Sequence, residues 1–435
     1  MRVPIICMDP DLRQFAASFH ACFSTPQRRY FEIVLLAVLL CQEPHTLSGL
    51  LRQVLAHVTL SGLSRLLAKA PWSTAEVAKT WRTRFDTQVA PLVHAEHLRQ
   101  RAAQPKRPGR PAASVVTGYL IGDDSTMEKV RGKKMAGLGK HHSTTAGTRV
   151  VGHSLVQALY VVQGRHCPLE PQLYRQKAVC EAEDVAFHSK IDLMAEQIRS
   201  FKPLAGTLTH VLLDSWYAAK CIWQAARERG FLISTGLKSN RCLRVADPEA
   251  PKGWRWQSLS EYAAGLSAAD YQQVTWPSQG EEPRQVWVHV VSTRVRKLYR
   301  CQVIIVRERL DAPLKETRYF ASSDLRADVT TLVGHLAARW RVEVLFADGK
   351  ALLGLDQYQV MSTEAIVHFW TLVWAAYSYL DEERARLRER WQRHVTVGEA
   401  QREVQRRHWH HLLSWMHQEF LAGATPQALF EQLAA

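Results

Sequence analysis

Three carboxylates stand in local patterns that could support chemistry on phosphate groups. Asp123 and Asp214 each follow a short apolar run, typical of a buried β-strand, at the point where polar residues begin. Glu343 lies in a pattern typical of a helix. One carboxylate from each of two strand ends and one from a helix can hold two Mg²⁺ ions about 4 Å apart, an arrangement that catalyses phosphoryl transfer. The residues therefore predict a two-metal site, with Mn²⁺ as an alternative ion.

The helix around Glu343 has the sharpest spacing in the chain. Four residues recur at intervals of four, three and four, and they fall on one stripe of a helix: Arg339, Glu343, Phe346 and Lys350. Two cations flanking a carboxylate suit a metal ligand beside a bound phosphate. The alternative is a solvated face with an Arg339–Glu343 ion pair that contributes about 0.3 kcal/mol. The two upstream aspartates favour the functional interpretation.

The charge balance indicates a polyanionic partner. The 435 residues include 56 Lys and Arg against 41 Asp and Glu, a net charge of +15, which is typical of proteins that bind nucleic acid. A membrane is disfavoured, because no apolar run approaches the roughly 18 residues of a spanning helix. The eight cysteines contain no C-x-x-C pair, which disfavours a zinc ribbon or a disulfide framework and predicts reduced thiols in the cytoplasm.

The chain is long enough for more than one domain, and its two ends are helical. Residues 1–100 predict a helical domain for DNA binding or dimerisation, in which Thr46 and Thr59 are candidate N-caps. A helix-turn-helix and a helical bundle are both compatible with this pattern. Residues 101–114 form a basic linker with three prolines, which is interpreted as a tether in preference to an AT-hook. Residues 381–435 predict a helical tail.

The central part predicts an α/β, RNase H-like catalytic core interrupted by a β-rich insertion. Residues 115–237 form its first part, 238–318 the insertion, and 319–380 its second part with the Glu343 helix. The predicted core strands cover 116–122, 149–162, 166–174, 210–213 and 231–235. The predicted helices cover 182–201 and 217–229.

These motifs resemble the DDE transposases of bacterial insertion sequences, in the insertion-sequence-four group. Their helix signature is Tyr-x₂-Arg-x₃-Glu-x₆-Lys. Here Arg339, Glu343 and Lys350 are in register, whereas Leu336 stands where the Tyr belongs. The runs Asp123-Asp-Ser125 and Asp214-Ser-Trp-Tyr217 are also similar to the family's motifs. The resemblance covers about residues 115–380.

The resemblance implies roles for these residues. Asp123, Asp214 and Glu343 would be the catalytic metal ligands, with Asp124 as an alternative to Asp123. The cations of the signature helix would hold phosphates of the transposon end. The expected partners are double-stranded DNA, as terminal repeats and target, and a second copy of the chain. The resemblance also implies that a tryptophan of the insertion stacks on a flipped base; the candidates are Trp254, Trp256, Trp276 and Trp287.

Further basic residues follow Asp123 directly in the chain. A Gly-rich loop there is expected to contact DNA and release counterions through Lys129, Arg131, Lys133, Lys134 and Lys140. His141 and His142 are interpreted as exposed loop residues in preference to active-site groups. His408, His410 and His411 lie on a basic helix and are expected to face solvent or DNA.

The resulting hypothesis is a metal-dependent DNA transposase in the bacterial cytoplasm, associated with the nucleoid, that cuts transposon ends and transfers strands to target DNA. Two alternatives remain open: a catalytically silent DNA-binding regulator of transposase descent, and another RNase H-like nuclease. The three carboxylates favour activity, and the insertion disfavours a short resolvase. The sequence leaves open the repeat sequence, the target and whether excision uses a hairpin.

Overall fold

The computed structural model of the protein describes residues 8–52, 54, 58–104, 114–132, 134–143, 147–277 and 282–434. Its first part is helical: α1 (Pro10–Ala17), α2 (Thr25–Leu40), α3 (Leu47–Leu51), α4 (Leu60–Ala68) and α5 (Thr74–Ala103). Thr46 and Thr59 cap α3 and α4, because each hydroxyl accepts the N–H three residues on, at 3.1 Å. Helix α5 includes the first three residues of the expected linker, and 105–113 lie outside the described residues.

The α/β core begins with strands in antiparallel pairing and ends with two strands that run parallel to its first strand. The elements are β1 (Val116–Glu128), β2 (Gly139–Ser143), β3 (Thr148–Val162), β4 (Arg165–Pro168), β5 (Gln172–Tyr174), α6 (Lys177–Ala182), α7 (Lys190–Ser200), β6 (Thr207–Leu213), α8 (Lys220–Glu228) and β7 (Leu232–Leu237). Strand β3 pairs antiparallel with β1, β2, β4 and β5. Strand β6 is parallel to β1, and β7 is parallel to β6. This is an RNase H-like arrangement, as the sequence predicts.

The β-rich segment extends the central sheet. It contains β8 (Cys242–Ala246), β9 (Trp254–Ser258), α9 (Leu259–Ala264), β10 (Gln272–Trp276), β11 (Arg284–Arg294), β12 (Arg300–Arg307) and β13 (Arg318–Ser322). Strands β13, β12, β11 and β10 add in that order beyond β7, giving a sheet of 11 strands, whereas β8 and β9 form a separate hairpin. The core and most of the insertion therefore share one sheet.

The remaining chain is helical: α10 (Val329–Ala338), α11 (Arg341–Leu353), α12 (Thr363–Trp391), α13 (Val397–Leu421) and α14 (Pro426–Ala434). Helix α12 is largely buried and packs against α2, α4, α5, α11 and α13. The N-terminal helices consequently share one hydrophobic cluster with the sheet. Within the described part of the chain, no helix combines the length and apolarity needed to cross a bilayer.

Three predicted boundaries are wrong, each for a local reason. The first strand was predicted to end at 122, but β1 continues to Glu128 because its polar half stays paired with β3. The helix expected over 182–201 begins at Lys190, after a capping box formed by Ser189 and Asp192. The predicted helical stripe from Arg339 to Lys350 is interrupted, since α10 ends at Ala338 and α11 starts at Arg341, so that Arg339 lies between the two helices.

Burial of His153 makes stability depend on pH. The ring is fully buried; Nε2 lies 2.9 Å from the Ala136 carbonyl oxygen and Nδ1 lies 2.8 Å from the Tyr358 hydroxyl. Burial lowers the pKa of His153 to about 4. Below pH 6.5 the His153 ring is protonated in the unfolded chain but remains neutral in the folded chain, so the free energy of unfolding falls as pH falls. We expect this residue alone to remove about 2 kcal/mol of the unfolding free energy between pH 7.5 and pH 5.

Urea denaturation at the two pH values measures this effect. The variant His153→Gln should lose less stability than the native protein on acidification, although it starts from a lower value. His142→Gln is the matched control, because His142 is exposed on the neighbouring strand β2. An identical pH dependence for His153→Gln and the native protein would contradict the assignment.

Candidate active site

The first two carboxylates lie side by side where two parallel strands separate. The parallel pairing of β1 with β6 ends at Gly122 opposite Leu213. Asp123 and Asp214 are the next residues on the two chains. Beyond this point β1 remains paired only with β3. Equal register in a parallel pair therefore brings together two aspartates that are 91 positions apart in the sequence.

Asp123 faces the helix that carries Glu343. Side chains alternate along a strand, so Asp123 lies on the same face of β1 as Tyr119, whose hydroxyl is 3.0 Å from Nδ1 of His335 in α10. The Arg339 guanidinium lies between the two acidic groups. Its Nη1 is 3.7 Å from Oδ2 of Asp123, and its Nη2 donates to Oε1 of Glu343 at 2.8 Å. Arg339 thus connects the strand carboxylate to the helix carboxylate.

Asp124 faces the opposite side of β1 and is already bound within the protein. Its carboxylate accepts hydrogen bonds from the Lys190 ammonium of α7 and, at 3.0 Å, from the Tyr217 hydroxyl. The same face is closely packed at Gly122, where a Cβ would lie 2.5 Å from Met194 of α7. Asp124 is therefore directed away from Glu343, and the geometry favours Asp123 of the adjacent pair. No local sequence pattern indicates the bonds from Lys190 and Tyr217, because the three residues are far apart in the chain.

Negative charge is concentrated around Asp123. Burial raises the pKa of Asp123 to about 7, and the neighbouring charges of Asp124 and Asp214 add to the rise, against the backbone N–H of Asp124 and the Arg339 guanidinium. The pKa of Tyr217 also lies well above its ordinary value, first because of burial and then because of these carboxylates. Hard oxygen donors with excess negative charge suit a divalent cation such as Mg²⁺. The donor set thus fits the ion.

Glu343 is not yet part of one cluster with the aspartates. Among the described residues, no three His, Cys, Asp or Glu side chains are arranged closely enough to hold a metal ion. The Glu343 carboxylate is paired with Arg339 through Oε1, at 2.8 Å from Nη2.

Asp214, alone among the three candidate carboxylates, is in the lining of a basic cleft of about 760 Å³. The cleft runs between the sheet extension and helices α10–α12. Its cationic lining residues are Arg284, Lys315, Arg318, Arg339, Arg341 and Arg384. Two indoles, Trp276 and Trp340, also line it, and Trp340 is 60% exposed. A cleft with this lining is suited to a nucleic-acid strand.

Two of the predicted DNA-binding lysines contact the protein itself. Lys129 Nζ donates to the Tyr358 carbonyl oxygen at 2.8 Å and lies 3.4 Å from the centre of the Tyr358 ring. Burial lowers the pKa of Lys129 to about 8. Lys350 Nζ donates to the Thr126 carbonyl oxygen at 3.2 Å. Both lysines join β1 to α11 or to the segment that follows it, so they support the Glu343 helix.

The other predicted loop residues have different environments. Arg131, Lys134 and Lys140 are exposed and keep their predicted role as DNA contacts, whereas Lys133 lies outside the described residues. His142 is exposed as expected, but His141 is buried on β2 with 6% exposure, so that prediction is wrong. The strand turns successive side chains to opposite faces, and only one of the two is covered.

The four candidate tryptophans separate by position. Trp276 lines the same cleft as Asp214, and Arg318 lies 5.1 Å from its ring centre. Trp254 and Trp256 line a different groove, and Trp287 packs against the hydrophobic core. Near the C-terminus, His408 is buried in α13, contrary to the expected solvent or DNA contact, whereas His410 is exposed.

Comparison with known proteins gives one family match. The family described as DDE superfamily endonuclease matches residues 18–293. No curated protein matches the chain. A solved structure, a piggyBac transposase synaptic complex with hairpin DNA, is similar at 10% identity with a TM-score of 0.44, over 97% of this chain and 81% of that one. A likeness of that degree supports no statement about activity.

Proposed function

The chain belongs to the DDE superfamily endonucleases, and from this premise we propose that it is a DNA transposase that cuts transposon ends and joins them to target DNA. The observation that carries the proposal is the arrangement of three carboxylates. Asp123 and Asp214 lie next to each other at the end of the β1–β6 pairing, and Arg339 connects Asp123 to Glu343. Membership of the insertion-sequence-four group is part of the proposal, supported by the Arg339, Glu343 and Lys350 spacing.

Asp123, Asp214 and Glu343 would hold the divalent ions. When bound, two such ions supply Lewis-acid stabilisation of the attacking and leaving oxygens. In their absence the Arg339 guanidinium neutralises part of the carboxylate charge. We propose that Arg339 moves from Glu343 to a DNA phosphate when DNA and metal bind. Its planar fork of donors suits both carboxylate and phosphate.

The proposed reaction consists of two in-line displacements at phosphorus. In the first, water attacks a phosphodiester at the transposon end, the P–O3′ bond breaks, and the strand end leaves as a 3′-hydroxyl after protonation. In the second, that hydroxyl attacks a target phosphodiester and displaces another 3′-oxygen. The basic cleft orients the strand, which is the protein's main contribution to phosphoryl transfer besides electrostatic stabilisation.

Duplex DNA is the proposed partner, and a homodimer on paired ends is the proposed assembly. The support is the clustering of cations in the cleft together with the exposed Arg131, Lys134 and Lys140 beyond β1. Counterion release from such contacts makes the affinity depend strongly on salt. Two active sites are needed to process two transposon ends together.

A strand-transfer assay separates a transposase from a simple nuclease. A duplex that mimics a pre-cut end, with a free 3′-hydroxyl, is incubated with the protein, Mg²⁺ and a supercoiled plasmid. We expect covalent joining of the duplex to the plasmid, and no joining when the end carries a 3′-deoxynucleotide. Cleavage of DNA without any joining would leave an RNase H-like nuclease, and binding without either reaction would leave a DNA-binding regulator.

Trp276 is the proposed stacking residue for a base displaced at the cut end. It is the one of the four candidate tryptophans that lines the same cleft as Asp214. Base stacking on an aromatic side chain contributes about 1–3 kcal/mol, so Trp276→Ala should slow single-turnover cleavage about 10-fold or more. Trp276→Phe, which keeps an aromatic face, should retain most of the rate. Equal rates for the alanine and phenylalanine variants would contradict the stacking role.

A further inference from the structure

A second basic groove lies near the beginning of β7, whereas the catalytic cleft lies near its end. The groove has a volume of about 1060 Å³ and runs between α8, the β8–β9 hairpin and the adjacent ends of β11 and β12. A smaller pocket of about 360 Å³ continues it along the hairpin toward Lys220 at the start of α8. Ile233, near the beginning of β7, lines this groove, whereas Gly236 and Leu237, near the end of β7, line the catalytic cleft.

The charged residues that line this groove are all cationic. Seven exposed cations line it and its continuation: Lys220, Arg227, Arg244, Lys252, Arg294, Lys297 and Arg300. No Asp or Glu is among the described lining residues. Within the described part of the chain, none of the seven has a carboxylate oxygen within 4.0 Å, and the nearby Asp247 pairs with Arg255 instead. Their positive charge therefore remains available to an external anion.

Aromatic rings hold several of these cations in place. The Arg227 guanidinium lies 5.1 Å from the centre of the Tyr299 ring. The Arg244 guanidinium lies 5.2 Å from the centre of the Trp254 ring, and Lys252 Nζ lies 6.0 Å from the same ring. A cation–π contact positions a cation without cancelling its charge. The groove thus resembles a set of aligned phosphate contacts more than a scattered solvated surface.

The spacing to the active site matches a continuous strand of DNA. Three to four residues of β7 separate the two linings, which corresponds to about 10–13 Å at the rise of a strand. Successive phosphates of one DNA strand are about 3.4 Å apart along the helix axis. The two linings are therefore separated by a length that corresponds to a few base pairs of duplex DNA.

We infer that this second groove binds the sugar–phosphate backbone of duplex DNA beside the cleavage position, as a sequence-independent clamp. The inference rests on the proposed function only in assigning the cleaved strand to the catalytic cleft. The clamp contributes to affinity and register, and the carboxylates act on the phosphodiester held next to it. Because contacts to phosphate position DNA without reading bases, the groove should not discriminate between sequences.

The test compares two triple variants that lose the same charge. The groove variant is Arg244→Gln, Lys252→Gln and Arg294→Gln. The control variant is Lys202→Gln, Arg326→Gln and Arg402→Gln, which removes three exposed cations that line neither the groove nor the catalytic cleft. Thermal unfolding first establishes that both are folded. Fluorescence anisotropy then measures binding of a labelled duplex in EDTA over a series of salt concentrations.

The groove variant should lower the slope of log K against log salt concentration by about 3, since each lost phosphate contact removes about 0.9. The control should keep the slope of the native protein. A duplex cut short so that it reaches only the catalytic cleft should bind the groove variant and the native protein equally. Equal slopes for the groove variant and the control would overturn the inference. The binding assay contains EDTA, so its result does not depend on catalysis. A failure of the native protein to cleave DNA in a separate assay with Mg²⁺ would refute the proposed function and leave this comparison of binding slopes unchanged.

Discussion

Asp214→Asn and Glu343→Gln are each expected to lower the rate of metal-dependent DNA cleavage by about 1000-fold or more. Both substitutions keep the size of the side chain and remove a negative oxygen donor. Loss of transition-state charge stabilisation of several kcal/mol corresponds to that factor. The rate is measured under single-turnover conditions, with protein in excess over a labelled duplex.

The adjacent aspartates provide the matched comparison. Asp123→Asn should be as inactive as the other two variants, because Asp123 faces Arg339 and the Glu343 helix. Asp124→Asn should retain cleavage within about 10-fold, because Asp124 is bound by Lys190 and Tyr217 on the opposite face. Binding of the duplex in EDTA should persist in all four variants. The opposite order of activity for the two aspartate variants would move the metal ligand to Asp124.

Asp381→Asn is expected to destabilise the protein by about 3–5 kcal/mol. Asp381 is buried in α12 and has 1% exposure. Its carboxylate accepts from Arg165 Nε at 2.7 Å and from the His166 backbone N–H at 3.1 Å, and it pairs with Arg384 of the same helix. The substitution leaves two buried guanidinium groups without a counter-charge. Chemical denaturation should show a lower midpoint with an unchanged slope.

An exposed ion pair supplies the control for this effect. Glu76 and Lys79 on α5 pair at 3.3 Å, with side chains 59% and 71% exposed. Glu76→Gln should change the unfolding free energy by less than about 1 kcal/mol, since solvent and salt screen such a pair. If Asp381→Asn were no more destabilising than Glu76→Gln, the junction between α12 and the β4 hairpin would not depend on the buried charges.

The fold class of the core can be predicted from local sequence patterns, but the lengths of its strands and their pairing across the sheet cannot. Apolar runs mark β6 and β7 because those strands are buried. They could not show that β1 continues through Asp123 to Glu128, since its polar half is stabilised by pairing with β3 and not by burial. Likewise the strands of the insertion are visible as β-rich segments, whereas their addition to β7 through β13 depends on pairing that no local pattern specifies.

The candidate site, like the fold, can be predicted from the sequence only in part. Residue type and spacing identify Asp123, Asp214 and Glu343 as candidates, because carboxylates next to apolar runs are conspicuous in the sequence. The bonds of Asp124 to Lys190 and Tyr217 join three separate elements, so they appear only in the folded chain. The same applies to Lys129 and Lys350, whose bonds to backbone carbonyl groups appear only in the folded chain.

Cleavage of the DNA that flanks the gene tests the central proposal most directly. The native protein and Asp214→Asn are incubated with labelled duplexes from both flanks, with Mg²⁺ or with EDTA, and the products are resolved at single-nucleotide resolution. We expect cuts at one defined position in each flank that leave 3′-hydroxyl ends, require Mg²⁺ and disappear in Asp214→Asn. Specific binding of both flanks by the native protein with no cut in Mg²⁺ or Mn²⁺ would contradict the proposal.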